Sequence, residues 1–134
     1  MKDFFPEEPF GCHGLEPSGV FHKCSLNAFD PAMRKILNAV REELGIEISI
    51  NSGCRCKSHN AAIGGAERSA HLLGPDGFCH AVDIKCAWDR GRGLLQEALQ
   101  RHGIRRFEAS DLHLHADNAY YLPSPLLAAK RFLS

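Results

Sequence analysis

Four residues of this sequence have the chemistry and the spacing of a metal site. His71 lies among turn-forming residues, and Asp83 follows in an apolar, strand-like segment. His113 and His115 come later and stand two positions apart, so they would share one face of a strand. An unpaired carboxylate is costly to bury, and a bound divalent cation removes that cost. Three ligands of nitrogen and oxygen type, with a fourth position open to water, are typical of a catalytic zinc centre.

The order of these motifs resembles that of the zinc D-Ala-D-Ala carboxypeptidases and L-Ala-D-Glu endopeptidases, which cut peptidoglycan stem peptides. The likeness covers roughly residues 28 to 118, and four separated motifs carry it: Ser52-Gly53-Cys54-Arg55, Ser69-x-His71-x-x-Gly74, Ala81-x-Asp83 and His113-x-His115. The sequence departs from the family pattern in the inserted residues 75–80 and in Cys54, where an aromatic residue is usual. The Hedgehog signalling domain shares this fold and metal site. The resemblance therefore implies a single α+β domain, with a small, mainly antiparallel sheet and flanking helices.

The resemblance also implies a role for each candidate metal residue. His71, Asp83 and His115 are the implied Zn²⁺ ligands. His115 is preferred to His113 because relatives without the second histidine keep a His-x-Asp motif at the ligand position, and His115-Ala116-Asp117 matches it. His113 then matches the histidine that stabilises the transition state without binding the metal.

Three further residues are candidates for catalysis. Relatives place a Glu or Asp shortly before the ligand histidine, so the general base is either Asp111 or Glu108, neither of them at the family spacing. Strand alternation favours Asp111, which would share the face of His113 and His115, and each carboxylate is otherwise a solvated loop residue. Arg55 matches an arginine beside the zinc, where paired N–H donors hold a carbonyl or stabilise an oxyanion; without the resemblance, a surface salt bridge would be the simpler interpretation.

The implied function is that of a zinc metallopeptidase which hydrolyses an amide bond in a peptidoglycan stem peptide, as a D-Ala-D-Ala carboxypeptidase or an endopeptidase. One alternative is a non-catalytic zinc-binding module of the same fold, which recognises cell wall or a protein partner. Another is a disulfide-stapled adhesion or assembly domain in which the histidines are incidental.

The composition fits one domain and gives no support to several classes of partner. The 134 residues are enough for one hydrophobic core. Lys and Arg number 16, as do Asp and Glu, so the formal charge of zero predicts neither nucleic acid nor an anionic membrane as a partner. The unusual features are 8 His and 6 Cys, which point to metal or disulfides. We expect a monomer.

The sequence has no apolar run long enough to span a bilayer, and its first residues have neither an apolar h-region nor a small-residue cleavage site. We therefore expect synthesis in the cytoplasm and action on the cell wall. The protein would reach the wall either in the periplasm, after loss of a leader, or by the route of phage lysis enzymes. The initiator Met favours the second, endolysin-like route.

The N-terminal part of the chain is predicted to be a separate cap. Residues 1–27 lack a helical or strand period, and residues 28–134 would form the metallopeptidase domain. The cap contains the Cys and His residues Cys12, His13, His22 and Cys24. They form either a small structural zinc site or, more simply, disulfides or reduced thiols.

The remaining cysteines leave several pairings open. Cys54 and Cys56 lie two apart on an extended segment, which makes them poor partners for each other. Each would pair with Cys79 or Cys86, or stay reduced. Cys79 and His80 also stand close to the predicted ligands, and each is an alternative ligand.

Two helices are predicted by apolar periodicity. Asp30 can cap the first helix, Pro31 suits its first turn, and Gly45 fits a left-handed stop. Its apolar face is Met33, Ile36, Leu37, Val40 and Leu44. The second helix begins at Asp89 and ends at Gly103. Its predicted inner face is Leu94, Leu95, Ala98, Leu99 and His102, although His102 is expected to meet the helix dipole or solvent rather than a metal.

Strands are predicted where apolar and polar residues alternate. Residues 46–50 read as a half-buried strand that leads to Arg55, and residues 81–84 as a second strand. The turn at 75–77 lets the inserted residues loop out between the first two ligands. Residues 105–109 and 111–116 are predicted to form a final hairpin, with Leu112, Leu114 and Ala116 packed behind the two histidines. A C-terminal helix is predicted over 123–134.

Overall fold

The structure is a computed structural model, and it describes residues 3–5, 28–62, 64, 69–86, 90–110 and 112–122. Within these ranges there are three helices: α1 (Pro31–Leu44), α2 (Lys57–Ala62) and α3 (Arg90–Arg101). The strands of the same ranges are β1 (Ile50–Ser52), β2 (Ala81–Lys85), β3 (Arg106–Ala109) and β4 (His113–Asp117). The predicted Cys/His cap site, the candidate base Asp111 and the predicted C-terminal helix lie outside the described residues. The division at residue 27 stays a prediction.

The four strands form one antiparallel sheet in the order β1-β2-β4-β3. This sheet and its helices confirm the predicted α+β fold, and β3 and β4 form the predicted hairpin. One sheet face belongs to the hydrophobic core, which also receives the buried sides of α1 and α3. The core side chains of this sheet face are Val82, Ile84, Phe107, Leu114 and Ala116. The other face carries the candidate site.

Helix α1 follows the local signals of its sequence. Asp30 Oδ1 accepts the backbone N–H of Ala32 at 2.9 Å, Pro31 takes the first position, and Gly45 has a left-handed φ of 65°. Only glycine adopts that conformation without steric cost. The predicted start and end of this helix are therefore confirmed.

Three predicted burial positions are wrong. Leu94 on α3 is 53% exposed, because the core takes Leu95, Ala98 and Leu99, and their spacing turns position 94 to solvent. Leu112 is 73% exposed, since it precedes β4 in the connecting turn. Ile46 is 45% exposed and lies before β1.

Strand β1 is shorter than predicted and begins at Ile50. It is an edge strand, and its register shifts between Ile50 and Ser52. One ladder bond precedes it, from Lys85 N–H to the Ser49 carbonyl at 2.9 Å. The alternating pattern predicted a longer strand because it carries no information on where the hydrogen bonds to the neighbouring strand end.

Residues 3–5, which we call the N-terminal anchor, are fastened to α1. The Phe4 N–H donates to Asn38 Oδ1 at 2.7 Å, and Asn38 Nδ2 donates to Asp3 Oδ1 at 3.1 Å. Arg34 Nη2 pairs with Asp3 Oδ2 at 2.6 Å. Phe5 is 5% exposed and belongs to the core. The start of the chain is thus held by both polar and apolar contacts.

In the described residues, no helix has the length and apolar character needed to cross a membrane.

Candidate metal centre

Three residues that are distant in sequence meet on the open face of the sheet. His71 lies in a turn at the edge of the site, Asp83 is in the middle of β2, and His115 lies directly opposite Asp83 on β4. Each offers one ligand atom, and these atoms lie within 4.8 Å of one another. His71 and Asp83 are buried, and His115 is half-buried. The turn at 74–77 forms as predicted and leaves the first two ligand candidates together.

Asp83 occupies the centre of this group. Its Oδ1 lies 3.2 Å from His71 Nε2 and 3.0 Å from His115 Nδ1. Its Oδ2 accepts a hydrogen bond from Arg55 Nη2 at 3.0 Å. One oxygen therefore faces both histidines, while the other is held by the guanidinium.

The outer nitrogen of each of these histidines also has a partner. His71 Nδ1 lies 2.7 Å from the Gly53 carbonyl oxygen, which can only accept, so Nδ1 donates and Nε2 is the nitrogen that faces the centre. His115 Nε2 lies 2.7 Å from Asp117 Oδ2, and this leaves Nδ1 toward the centre. Such contacts fix the ring orientation and tautomer of metal-binding histidines.

The electrostatics of the cluster favour a positive charge at its centre. Burial acts to raise the pKa of Asp83, but hydrogen bonds from His115 and His71 outweigh it and hold that pKa below its usual range. Burial acts to lower the pKa of His115, but Asp117 and Asp83 raise it to about 9. A proton on His115 and a divalent cation would therefore compete for the same place.

The donor set fits zinc. Two imidazole nitrogens and one carboxylate oxygen are ligands that Zn²⁺ accepts, and three protein ligands leave its fourth position open for chemistry. The lowered pKa of Asp83 keeps its carboxylate in the deprotonated form that a metal requires, and the Gly53 contact leaves His71 Nε2 as the nitrogen that would bind the ion.

A cavity of about 470 Å³ opens over the cluster. Its lining includes Arg55, Glu108 and His113. Glu108 is the direct neighbour of His115 across β3 and β4, so both side chains are on the same sheet face. His113 Nε2 lies 3.9 Å from Asp83 Oδ1, farther than either nitrogen of the cluster. Six of the residues predicted from the sequence thus surround one space: these three together with His71, Asp83 and His115.

Comparison with protein families matches residues 4–117 to the family described as Peptidase M15. The chain belongs to the peptidase M15 family. Peptidases of this family are typically zinc-dependent. A search among curated proteins found no match. The matched range of this M15 chain includes the cluster, the cavity residues and Asp117.

The two alternative ligands, Cys79 and His80, lie outside this candidate metal cluster. His80 Nδ1 lies 3.0 Å from Asp30 Oδ2, and its Nε2 lies 2.8 Å from Asp76 Oδ2. His80 thus links Asp30, the N-cap residue of α1, to Asp76 in the inserted turn. Cys79 is buried in the core, and a hydrogen bond between its side chain and that of Cys54 lowers the pKa of the Cys54 thiol. Cys79 and His80 thus hold the inserted loop against the core and against the N-terminal end of α1.

Sequence reasoning missed three parts of the site of this M15 peptidase. The Gly53 carbonyl is a backbone group, so no residue type in the sequence marks it as part of the site. Asp117 belongs to the His-x-Asp motif, but the motif alone does not predict its contact with His115 Nε2; the available signal is the spacing of two, which places both side chains on one strand face. Ser110, which also lines the cavity, gives no signal in the sequence because serine is common in turns.

Proposed function

We propose that this M15 chain is a zinc metallopeptidase that hydrolyses an amide bond in peptidoglycan stem peptides. The observation that carries the proposal is the convergence of His71, Asp83 and His115 beneath a cavity that Glu108 and His113 also line. The motif order of the sequence supports the choice of substrate, which is a short peptide with D-amino acids.

The three clustered residues would hold the ion. When bound, zinc supplies Lewis acidity that polarises an amide carbonyl and activates water. Arg55 keeps Asp83 in place through the 3.0 Å bond to Oδ2, and its remaining contacts include Asn60 Oδ1 at 3.2 Å. The guanidinium also gives the cavity wall a positive charge, which favours the carbonyl or carboxylate of a peptide.

Glu108 is the stronger candidate for the general base. It lies across from His115 on the same sheet face, and it lines the cavity. In this position its carboxylate would take a proton from water and pass it to the leaving amine. Asp111 is the alternative.

His113 would stabilise the developing oxyanion. Its Nε2 faces the cavity side of Asp83 at 3.9 Å, close enough to the cluster to reach a substrate oxygen bound there. We further propose that the protein acts as a monomer on the cell wall, as a D-Ala-D-Ala carboxypeptidase or an endopeptidase.

The decisive experiment incubates the zinc-loaded protein with purified peptidoglycan and with a D-Ala-terminated stem peptide, and it identifies products by mass spectrometry. We expect cleavage by the wild type and none by His71→Ala. Glu108→Gln should lower kcat by about 10²–10⁴-fold with zinc retained, whereas Asp111→Asn should leave kcat nearly unchanged. The reverse pattern would make Asp111 the base.

A wild type that binds one zinc yet leaves every substrate intact would contradict the proposal. That result would favour the non-catalytic zinc module. A matched control is Asp76→Asn, because this carboxylate contacts His80 and takes no part in the cluster. Its activity should equal that of the wild type.

A further inference from the structure

Ser110 contacts His113 through several hydrogen bonds at the rim of the cavity. Its Oγ lies 2.9 Å from His113 Nδ1 and accepts the His113 backbone N–H at 3.2 Å. The Ser110 N–H donates to the His113 carbonyl at 3.0 Å. Both residues line the cavity. The serine therefore holds both the backbone and the ring of His113 where β3 passes into β4.

The hydroxyl hydrogen of Ser110 has two possible acceptors. One is His113 Nδ1 at 2.9 Å, and the other is the His113 carbonyl oxygen at 3.3 Å. The carbonyl already accepts the Ser110 N–H, and the contact with Nδ1 is shorter. The geometry thus favours donation from Oγ to Nδ1. A neutral imidazole that accepts at Nδ1 carries its hydrogen on Nε2.

This arrangement is opposite to that of His71. The partner of His71 Nδ1 is a carbonyl, which can only accept, so Nδ1 carries a hydrogen and Nε2 is the nitrogen that would bind a metal. The partner of His113 Nδ1 is a hydroxyl, which can donate; with Nδ1 as the acceptor, Nε2 would carry the hydrogen and present an N–H to the cavity. One histidine is set as a ligand and the other as a hydrogen-bond donor.

We propose that Ser110 is a positioning residue, which orients His113 and fixes it in the Nε2–H tautomer so that its N–H points at the substrate oxygen. The inference rests on the proposed function for its catalytic meaning. The tautomer itself is a property of the folded protein and can be measured without a substrate.

The first test is nitrogen-15 NMR of the histidine side chains in the zinc-loaded protein. Signals of His113 are assigned by their loss in His113→Gln. We expect the Nε2–H tautomer in the wild type, with a measurable change of the ring signals in Ser110→Ala. An Nδ1–H tautomer in the wild type would overturn the proposal, whether or not the protein proves to be a peptidase.

The second test is kinetic. Ser110→Ala should lower kcat about 10-fold, less than the loss of a whole oxyanion donor, with KM and zinc content unchanged. Ser110→Thr keeps the hydroxyl and should restore kcat. Ser49→Ala is the matched control, because Ser49 is exposed and lies before β1 at the opposite edge of the sheet.

Two kinetic results would count against a positioning role. An unchanged kcat in Ser110→Ala would overturn it. If Ser110→Ala loses zinc or fails to fold, and Ser110→Thr does not restore either property, then Ser110 has only a structural role in the turn. Absence of cleavage by the wild type would refute the peptidase proposal and leave the NMR result to decide the role of Ser110.

Discussion

Each candidate zinc-binding histidine points one ring nitrogen at the centre of the cluster, and its other ring nitrogen makes a polar contact that holds the ring in place. For His115 this second partner is Asp117. The other oxygen of Asp117 accepts the Ala119 N–H at 2.9 Å and lies 2.8 Å from Arg106 Nε. Asp117 is 1% exposed. The carboxylate is therefore fixed from several sides and holds the imidazole in one orientation.

Replacement of this carboxylate tests its contribution to metal binding. Asp117→Asn should weaken zinc binding by about 10–100-fold, because the amide cannot reproduce the charge that orients His115 and makes it basic. Competition with a chelator of known zinc affinity measures the change. Asp76→Asn provides the comparison and should bind zinc like the wild type. Equal affinities for all three proteins would mean that Asp117 serves folding alone.

At the scale of elements, α1 and α3 are joined at the surface by a three-residue ion cluster. Arg101 on α3 donates to both oxygens of Glu43 on α1, at 2.9 and 2.7 Å, and His102 Nε2 lies 3.2 Å from Glu43 Oε1. The hydrogen bonds from Arg101, and then from His102, lower the pKa of Glu43 to about 2. His102 therefore meets a carboxylate rather than the metal centre.

The sign of the pH dependence follows from this lowered pKa. Glu43 is charged in the folded protein down to about pH 2, whereas its usual pKa is 4.5. Its stabilising contribution is thus complete above about pH 4.5 and is lost as the pH falls toward 2. We expect Glu43→Gln to melt slightly below the wild type at pH 7, by a small margin because the group is exposed.

The difference in melting temperature between Glu43→Gln and the wild type should shrink as the pH is lowered from 5 to 2. Glu42→Gln is the matched control, since Glu42 is the exposed neighbour on the same helix. A difference that stays constant over this range would show that the ion cluster does not link α1 to α3.

At the scale of the whole molecule, the N-terminal anchor completes the core from a distant part of the sequence. Phe5→Ala should lower the free energy of unfolding by about 3 kcal/mol, because it removes a large buried side chain and leaves a cavity. Urea unfolding measures this change. Phe78→Ala, at a 39% exposed phenylalanine, should cost less than about 1 kcal/mol. Similar values for the two variants would exclude the anchor from the core.

The sequence predicted best those features that depend on neighbouring residues. Asp30, Pro31 and Gly45 set the limits of α1 because capping and left-handed stops are local effects. The turn at 74–77 was predictable for the same reason. The convergence of His71 and Asp83 was predictable only through the order of motifs, since no local rule brings a turn to a central strand.

What the sequence did not predict depends on long-range packing. Arg92 is 1% exposed on α3, and its Nη2 donates to the Cys86 carbonyl at 2.7 Å. No periodicity rule buries an arginine in preference to Leu94. Likewise, Glu108 could be compared with Asp111 only after the register of β3 against β4 placed it beside His115.

The three candidate ligands differ in how firmly the fold holds them. Asp83 and His115 lie on the two central strands, each paired with a neighbour on both sides. His71 lies in a turn, where its N–H donates to Ser69 Oγ at 3.1 Å and its carbonyl accepts the Arg55 N–H at 2.9 Å. A turn opens at a lower free energy than the centre of a sheet. Exchange of a bound ion with solvent would therefore start with release by His71, while the other two ligands and the fold itself stay in place.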